Sequence, residues 1–153
     1  MTILSDAPIG DDGAIPTPAL ILGLAGVIPF LAGGIGALVL DPEWSAFATQ
    51  ATLLYGAVIL SFLGGIRWGL AMSPAMRSEQ TLHFTIAVLP SLLAWCALLV
   101  PQSIGIWMTI AGLIGMLLTD LQLTRSGQAP RWFQKLRIML TTGACIGLLM
   151  AAL

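Results

Sequence analysis

The chain carries very little charge. Of its 153 residues, six are Lys or Arg and seven are Asp or Glu, while 58% are hydrophobic and the mean hydropathy is +0.96. Soluble domains contain about 25% charged residues, so this chain has too little charge to cover a surface that faces water. A net charge of −1 with six basic residues also excludes a nucleic-acid partner, because phosphate neutralisation requires a basic patch.

Residue types that carry catalytic or metal chemistry are scarce as well. Cys96 and Cys145 lie in apolar runs without a CxxC partner or a neighbouring His, so we expect both to pack as small hydrophobes. The single histidine, His83, is expected at the level of the lipid headgroups. The sequence has no phosphate-binding loop, HExxH motif or nucleophile–base pair. It therefore predicts no catalytic residue, no cofactor and no metal, and favours a non-enzymatic protein.

The N-terminal segment lacks basic residues. Residues 1–16 contain Asp6, Asp11 and Asp12 but no Lys or Arg, unlike a secretory signal peptide or a mitochondrial presequence. We interpret this segment as a flexible acidic tail. The missing presequence favours a bacterial inner membrane over a mitochondrion.

Five apolar stretches follow, and each is long enough to cross a bilayer, which requires about 20 residues. We predict an all-α integral membrane protein with one five-helix domain at residues 17–153 and spans at about 18–40, 46–72, 82–100, 104–124 and 132–153. All six basic residues then lie on or near one side. By the positive-inside rule, the N-terminus is cytoplasmic and the C-terminus exoplasmic. Tryptophans near the span ends fit interfacial belts: Trp44, Trp68, Trp95, Trp107 and Trp132.

Small residues recur at four-residue spacing in three of the spans. Gly65-xxx-Gly69, Gly143-xxx-Gly147 and Gly33-xxx-Ala37 predict close helix contacts, because helices in lipid associate through small residues. We expect these contacts within the bundle. A homo-oligomer formed through the same glycine stripes is the alternative.

Three charged residues lie inside the apolar spans. Arg67, Asp120 and Arg137 each lie roughly 6–8 Å below the same membrane boundary at 1.5 Å per residue. Asp120 most needs a partner, because it lies near a helix C-terminus, where the macrodipole disfavours a carboxylate. We predict a buried cluster with an Arg67–Asp120 ion pair and Arg137 as second partner. The cluster either only holds the helices together or forms a pocket for an anionic headgroup, a substrate or a partner side chain.

Three segments carry a resemblance to a known family: LGLAGVIPF (22–30), YGAVILSFLGGIRWGLAM (55–72) and TDLQL…APRWFQKLRIMLT (119–141). Over roughly residues 17–150 the chain resembles the uncharacterised bacterial and mitochondrial inner-membrane family, a domain of unknown function, that includes animal transmembrane protein 69. The resemblance implies a membrane location and no particular activity. Besides the charged residues, it implies these motif positions: Pro29, Phe30, Tyr55, Ser61, Phe62, Gly64, Gly65, Trp68, Gly69, Pro90, Pro130 and Trp132.

Three functions are compatible with this sequence. Short loops leave no soluble catalytic domain, which favours an accessory or assembly subunit of a larger inner-membrane complex. A protein that binds a lipid or quinone headgroup through Arg67, Asp120 and Arg137 is the first alternative. A small transporter or channel is the second, although no ionisable residue lies near mid-membrane. The expected partners are membrane lipids and, for the accessory role, that larger complex.

Overall fold

The described part of the chain is helical and contains no strand. A computed structural model describes residues 13–73, 80–127 and 129–153. The helices are α1 (Thr17–Val39), α2 (Pro42–Ala71), α3 (Gln80–Leu99), α4 (Gln102–Arg125) and α5 (Arg131–Ala151). Each predicted span corresponds to one helix. Of the expected acidic tail, residues 1–12 lie outside the described residues, and residues 13–16 precede α1.

Prolines mark the starts of four helices. Pro16, Pro101 and Pro130 lie just before α1, α4 and α5, and Pro42 is the first residue of α2. A proline at the first helical position has a preset φ and lacks only an N–H that would have no partner there. Helix α2 begins at Pro42, four residues before the approximate start predicted for the second span.

Four helices have membrane-spanning character. Among the described residues, α1 to α4 are each long and apolar enough to cross a bilayer. The fifth helix does not reach the same hydropathy, because its first seven residues include Arg131, Lys135 and Arg137. An all-helical protein with several apolar helices is thus confirmed.

Helices α1 and α5 lie side by side and run in the same direction. Gly23 near the start of α1 faces Leu136 and Leu140, whereas Gly34 farther along α1 faces Gly147. A Cβ atom at Gly34 would lie only 2.5 Å from the carbonyl oxygen of Gly147, so the backbones touch. The core beside this contact contains Phe30, Leu53, Leu60, Ile106, Leu113 and Leu148.

The glycine stripe on α5 lies inside the bundle, whereas the stripe on α2 faces outward. Gly143 lies against Val27 and Gly147 against Phe30, so the stripe on α5 packs within the bundle as predicted. The prediction was wrong for Gly65 and Gly69, since a Cβ at either would meet nothing within 4 Å among the described residues. Both lie two residues, about 200° around the helix, from the inward-facing Arg67, and they therefore face outward.

Gly64 and Gly65 provide a matched pair of substitutions. A Cβ at Gly64 would lie 2.5 Å from the backbone oxygen of Ala87, so Gly64→Ala should force α2 and α3 apart and lower the free energy of unfolding by about 1–3 kcal/mol. Gly65→Ala should change it by less than about 1 kcal/mol. Thermal unfolding in mild detergent measures both, and equal effects of the two variants would contradict the α2–α3 contact.

Candidate functional site

Arg67, Asp120 and Arg137 form a charged cluster at one end of the bundle, which we call the charged end. Arg137 Nε donates to one Asp120 carboxylate oxygen at 2.7 Å, and Arg67 Nη1 donates to the other at 3.4 Å. All three residues are at least nine-tenths buried. The structure therefore brings together the three residues singled out from the sequence. Arg137, expected as the second partner, makes the shorter contact.

Each member of the charged cluster comes from a different helix. Arg67 shares the inner face of α2 with the buried residues Gly56, Leu60 and Gly64. Asp120 lies in the last turns of α4, and Arg137 lies six residues after the start of α5. The ion pairs thus join the C-terminal parts of α2 and α4 to the N-terminal part of α5.

The cluster carries more positive than negative charge. Two guanidinium groups face one carboxylate, and the other described carboxylates, Asp41 and Glu43, lie at the opposite end of α2. Within the described residues, three buried polar atoms of this region lack a hydrogen-bond partner, namely Arg67 Nε, Arg137 Nη2 and Thr141 Oγ1. Buried polar atoms are satisfied in the great majority of cases. The surplus donors make this end of the bundle a candidate binding site for an acceptor.

A cavity of about 390 Å³ lies beside the charged cluster, between α1, α2 and α5, with one residue of α4 at its base. We call it the cleft. Its wall is aliphatic and aromatic except for Arg137 and Thr141. On α5 the wall extends from Trp132 to Ala144, about 18 Å along the helix axis. The inner limit is formed by core residues such as Phe30 and Leu113.

The other predicted motif positions have mainly packing roles. The Tyr55 hydroxyl donates to the carbonyl of Gly26 at 2.9 Å, and its ring meets the Phe30 ring edge-on at 4.9 Å. The rings of Trp68 and Phe84 lie 4.6 Å apart. Of the remaining motif residues, Pro90 is buried in α3, Ser61 is half-buried in α2, and Pro29 and Phe62 are exposed.

The residues expected at the membrane interface differ in burial. His83 lies at the start of α3, where it is 6% exposed and faces the bundle interior. Trp132 is half-buried and lines the cleft, whereas Trp44, Trp95 and Trp107 are exposed. The depth of these residues in a bilayer stays a prediction.

Sequence reasoning missed Thr141 and the cleft wall on α1. Thr141 follows Arg137 by four residues and therefore lies on the same face of α5, a spacing that could have identified it. Gly23 and Gly26 line the cleft from α1. They are separated by three residues and belong to none of the four-residue stripes, so no sequence signal indicated that they line a cavity.

Comparison with known proteins identifies the family. The model of the family described as "Protein of unknown function (DUF3429)" matches residues 15–153. The chain belongs to this family. DUF3429 relatives include "Transmembrane protein 69" of Xenopus tropicalis, 42% identical over 138 residues, which cover 87% of this chain and 53% of the relative. "Transmembrane protein 69" of Mus musculus is 35% identical over 136 residues, covering 86% and 54%.

The chain spans about half the length of these curated relatives. No solved structure matches it. The resemblance seen in the sequence is therefore confirmed as membership of DUF3429, and with it the assignment to a family of membrane proteins of unknown function.

Asp120 is the residue on which the charged cluster depends. Asp120→Asn should destabilise the protein by about 3–5 kcal/mol, because it leaves two buried guanidinium groups without an anion. Adding Arg137→Met to that variant should recover part of the loss, since it removes one of the two charges. Thermal unfolding of the single and double variants measures the coupling.

The exposed Arg125 on α4 provides the control, since Arg125→Met should leave unfolding within about 0.5 kcal/mol of the unsubstituted chain. Strictly additive effects of Asp120→Asn and Arg137→Met would contradict the ion pair.

Proposed function

We propose that this DUF3429 protein is a multi-pass protein of the bacterial inner membrane that binds a membrane amphiphile, a lipid or a quinone, in the cleft. One observation carries this proposal: an apolar cavity has a buried arginine and a buried threonine as the polar residues of its wall. Ligand pockets have this composition, mostly apolar with a few polar groups that fix orientation.

The size and position of the cleft suit such a ligand. Its volume of about 390 Å³ falls within the roughly 300–1,000 Å³ typical of ligand pockets. Leu22 on α1 and Phe62 on α2 line the cleft and are 73% and 61% exposed. In a bilayer these apolar side chains face hydrocarbon, so an amphiphile would enter sideways between α1 and α2.

The proposed topology has five spans, with α5 as the fifth. Its parallel contact with α1, from Gly23 beside Leu136 to Gly34 beside Gly147, supports this count because α5 then covers the same depth as α1. The described basic residues all lie at the charged end, whereas Asp41 and Glu43 lie at the other. The positive-inside rule then makes the charged end and the N-terminus cytoplasmic, and the C-terminus exoplasmic.

Reporter fusions in a bacterial host test this topology. A periplasmic phosphatase fused after Leu153 should be active, whereas green fluorescent protein at the same site should be dark. A fluorescent protein fused before Met1 should be bright. An inactive phosphatase with a bright C-terminal fluorescent fusion would place both termini on the same side and reject five spans.

Filling the cleft should weaken ligand binding. Ala19 on α1 lines the cleft, whereas Ala25 on the same helix is exposed and does not. We expect Ala19→Phe to reduce binding of added hexadecan-1-ol and hexadecyl phosphate by about tenfold or more, or about 1.4 kcal/mol. Ala25→Phe should change it by less than about twofold.

Native mass spectrometry of the detergent-purified full chain counts the bound molecules in both variants. Binding that survives Ala19→Phe, or that Ala25→Phe reduces equally, would contradict a ligand site in the cleft.

An accessory or assembly subunit of a larger membrane complex is the second candidate. It is favoured by the outward face of α2, where Gly65 and Gly69 would allow another helix to approach closely. The same face could pair two copies of this chain. A stoichiometric protein partner captured from native membranes would support this role.

A further inference from the structure

We propose that the amphiphile bound in the cleft is anionic, with a phosphate or carboxylate headgroup that accepts hydrogen bonds from Arg137 and Thr141. This inference rests on the proposed function, because it specifies the chemistry of the cleft's ligand. It distinguishes an acidic lipid or fatty acid from a neutral quinone, sterol or alcohol.

The net charge of the cluster favours an anionic ligand. Arg67 and Arg137 share a single carboxylate, Asp120, and these three residues are buried. One positive charge therefore remains without a counter-ion among the described residues of the charged end. An uncompensated charge is costly in a low-dielectric interior. An anionic headgroup beside Arg137 would balance it, whereas a neutral headgroup would not.

Two residues that line the cleft, Arg137 and Thr141, carry buried donors without a partner among the described residues. Arg137 and Thr141 are 6% and 4% exposed and lie one turn apart on α5. Throughout the described chain, Arg137 Nη2 and Thr141 Oγ1 find no acceptor. A phosphate or carboxylate offers several acceptor oxygens, and a guanidinium binds such groups more strongly than it binds neutral acceptors.

The position of Arg137 and Thr141 along the cleft favours a ligand with an alkyl chain. Arg137 lies about 9 Å from the start of α5, and the apolar wall continues to Ala144, about 10 Å beyond it. A headgroup held at Arg137 would leave its alkyl chain against Val27, Leu140 and Ala144, which line this part of the cleft. A small free anion would gain nothing from that wall, so the site favours an amphiphile.

Three probes separate these properties: hexadecyl phosphate, hexadecan-1-ol with the same chain, and inorganic phosphate without a chain. Native mass spectrometry and ligand-dependent thermal stabilisation of the full chain in non-ionic detergent measure binding. We expect hexadecyl phosphate to bind about tenfold or more tightly than hexadecan-1-ol. Millimolar inorganic phosphate should not displace it.

Two variants assign the preference to the proposed donors. Thr141→Val keeps the shape of the side chain and leaves both ion pairs in place, so it should weaken hexadecyl phosphate about threefold or more without changing hexadecan-1-ol. Arg137→Gln should reduce the preference for phosphate over alcohol to about twofold or less. Unfolding curves recorded without ligand identify any variant that fails to fold, and Thr141→Val then carries the test alone.

The possible failures are distinguishable. Equal affinities for hexadecyl phosphate and hexadecan-1-ol, both abolished by Ala19→Phe, would overturn the anionic assignment and leave the amphiphile site intact. Displacement by inorganic phosphate would show an anion site that does not use the apolar wall, which also overturns the inference. If neither long-chain probe binds, the proposed function fails together with this inference.

Discussion

The bundle depends on one carboxylate held between two guanidinium groups, all of them buried. Asp120 is buried on α4 and has Arg137 at 2.7 Å and Arg67 at 3.4 Å. Hydrocarbon cannot solvate a charge, so these groups must find one another inside the protein. They lie on three different helices, and their pairing therefore brings together one end each of α2, α4 and α5. The parallel contact between α1 and α5, through Gly34 and Gly147, then attaches the first helix to this unit.

The inward position of Arg67 also determines which other residues of α2 face the bundle interior. Residues three, seven and eleven positions earlier, Gly64, Leu60 and Gly56, share its face and are buried, as helical periodicity requires. Gly65 and Gly69 lie on the other side, where an added Cβ would meet nothing within 4 Å among the described residues. The spacing of Gly65 and Gly69 is typical of a helix contact, yet both face outward. Exposing Arg67 to hydrocarbon would cost more free energy than a contact through two glycines would gain. Another membrane helix could approach closely at that outward face, which favours an accessory role.

Much of this architecture could be predicted from the sequence, because hydrocarbon imposes simple rules. Apolar length predicted the five helices to within a few residues, and the cost of an isolated charge identified Arg67, Asp120 and Arg137 as a group. Helix α2 begins at Pro42, before the apolar stretch, because a proline can occupy the first position of a helix and apolar length does not indicate it. Which of the two arginines lies closer to Asp120 depends on side-chain geometry, and residue spacing in the sequence does not determine that geometry. The cleft depends on how α1, α2 and α5 pack together, which is a tertiary property, so only Thr141 could have been found from its spacing to Arg137.

A purely structural role and a ligand-binding role predict different compositions for the charged cluster. If the cluster served only to hold helices together, one guanidinium would suffice to balance Asp120, and a second buried cation would raise the free energy of the folded state. The second cation is present, and the arginine with the shorter ion pair is also the one on the cleft wall. Thr141, one turn away, is buried without an acceptor among the described residues, although it contributes nothing to the ion pairs. A purely structural role accounts for Asp120, whereas the proposed binding of an anionic amphiphile would account for the extra charge, the unused donors and the apolar cleft together.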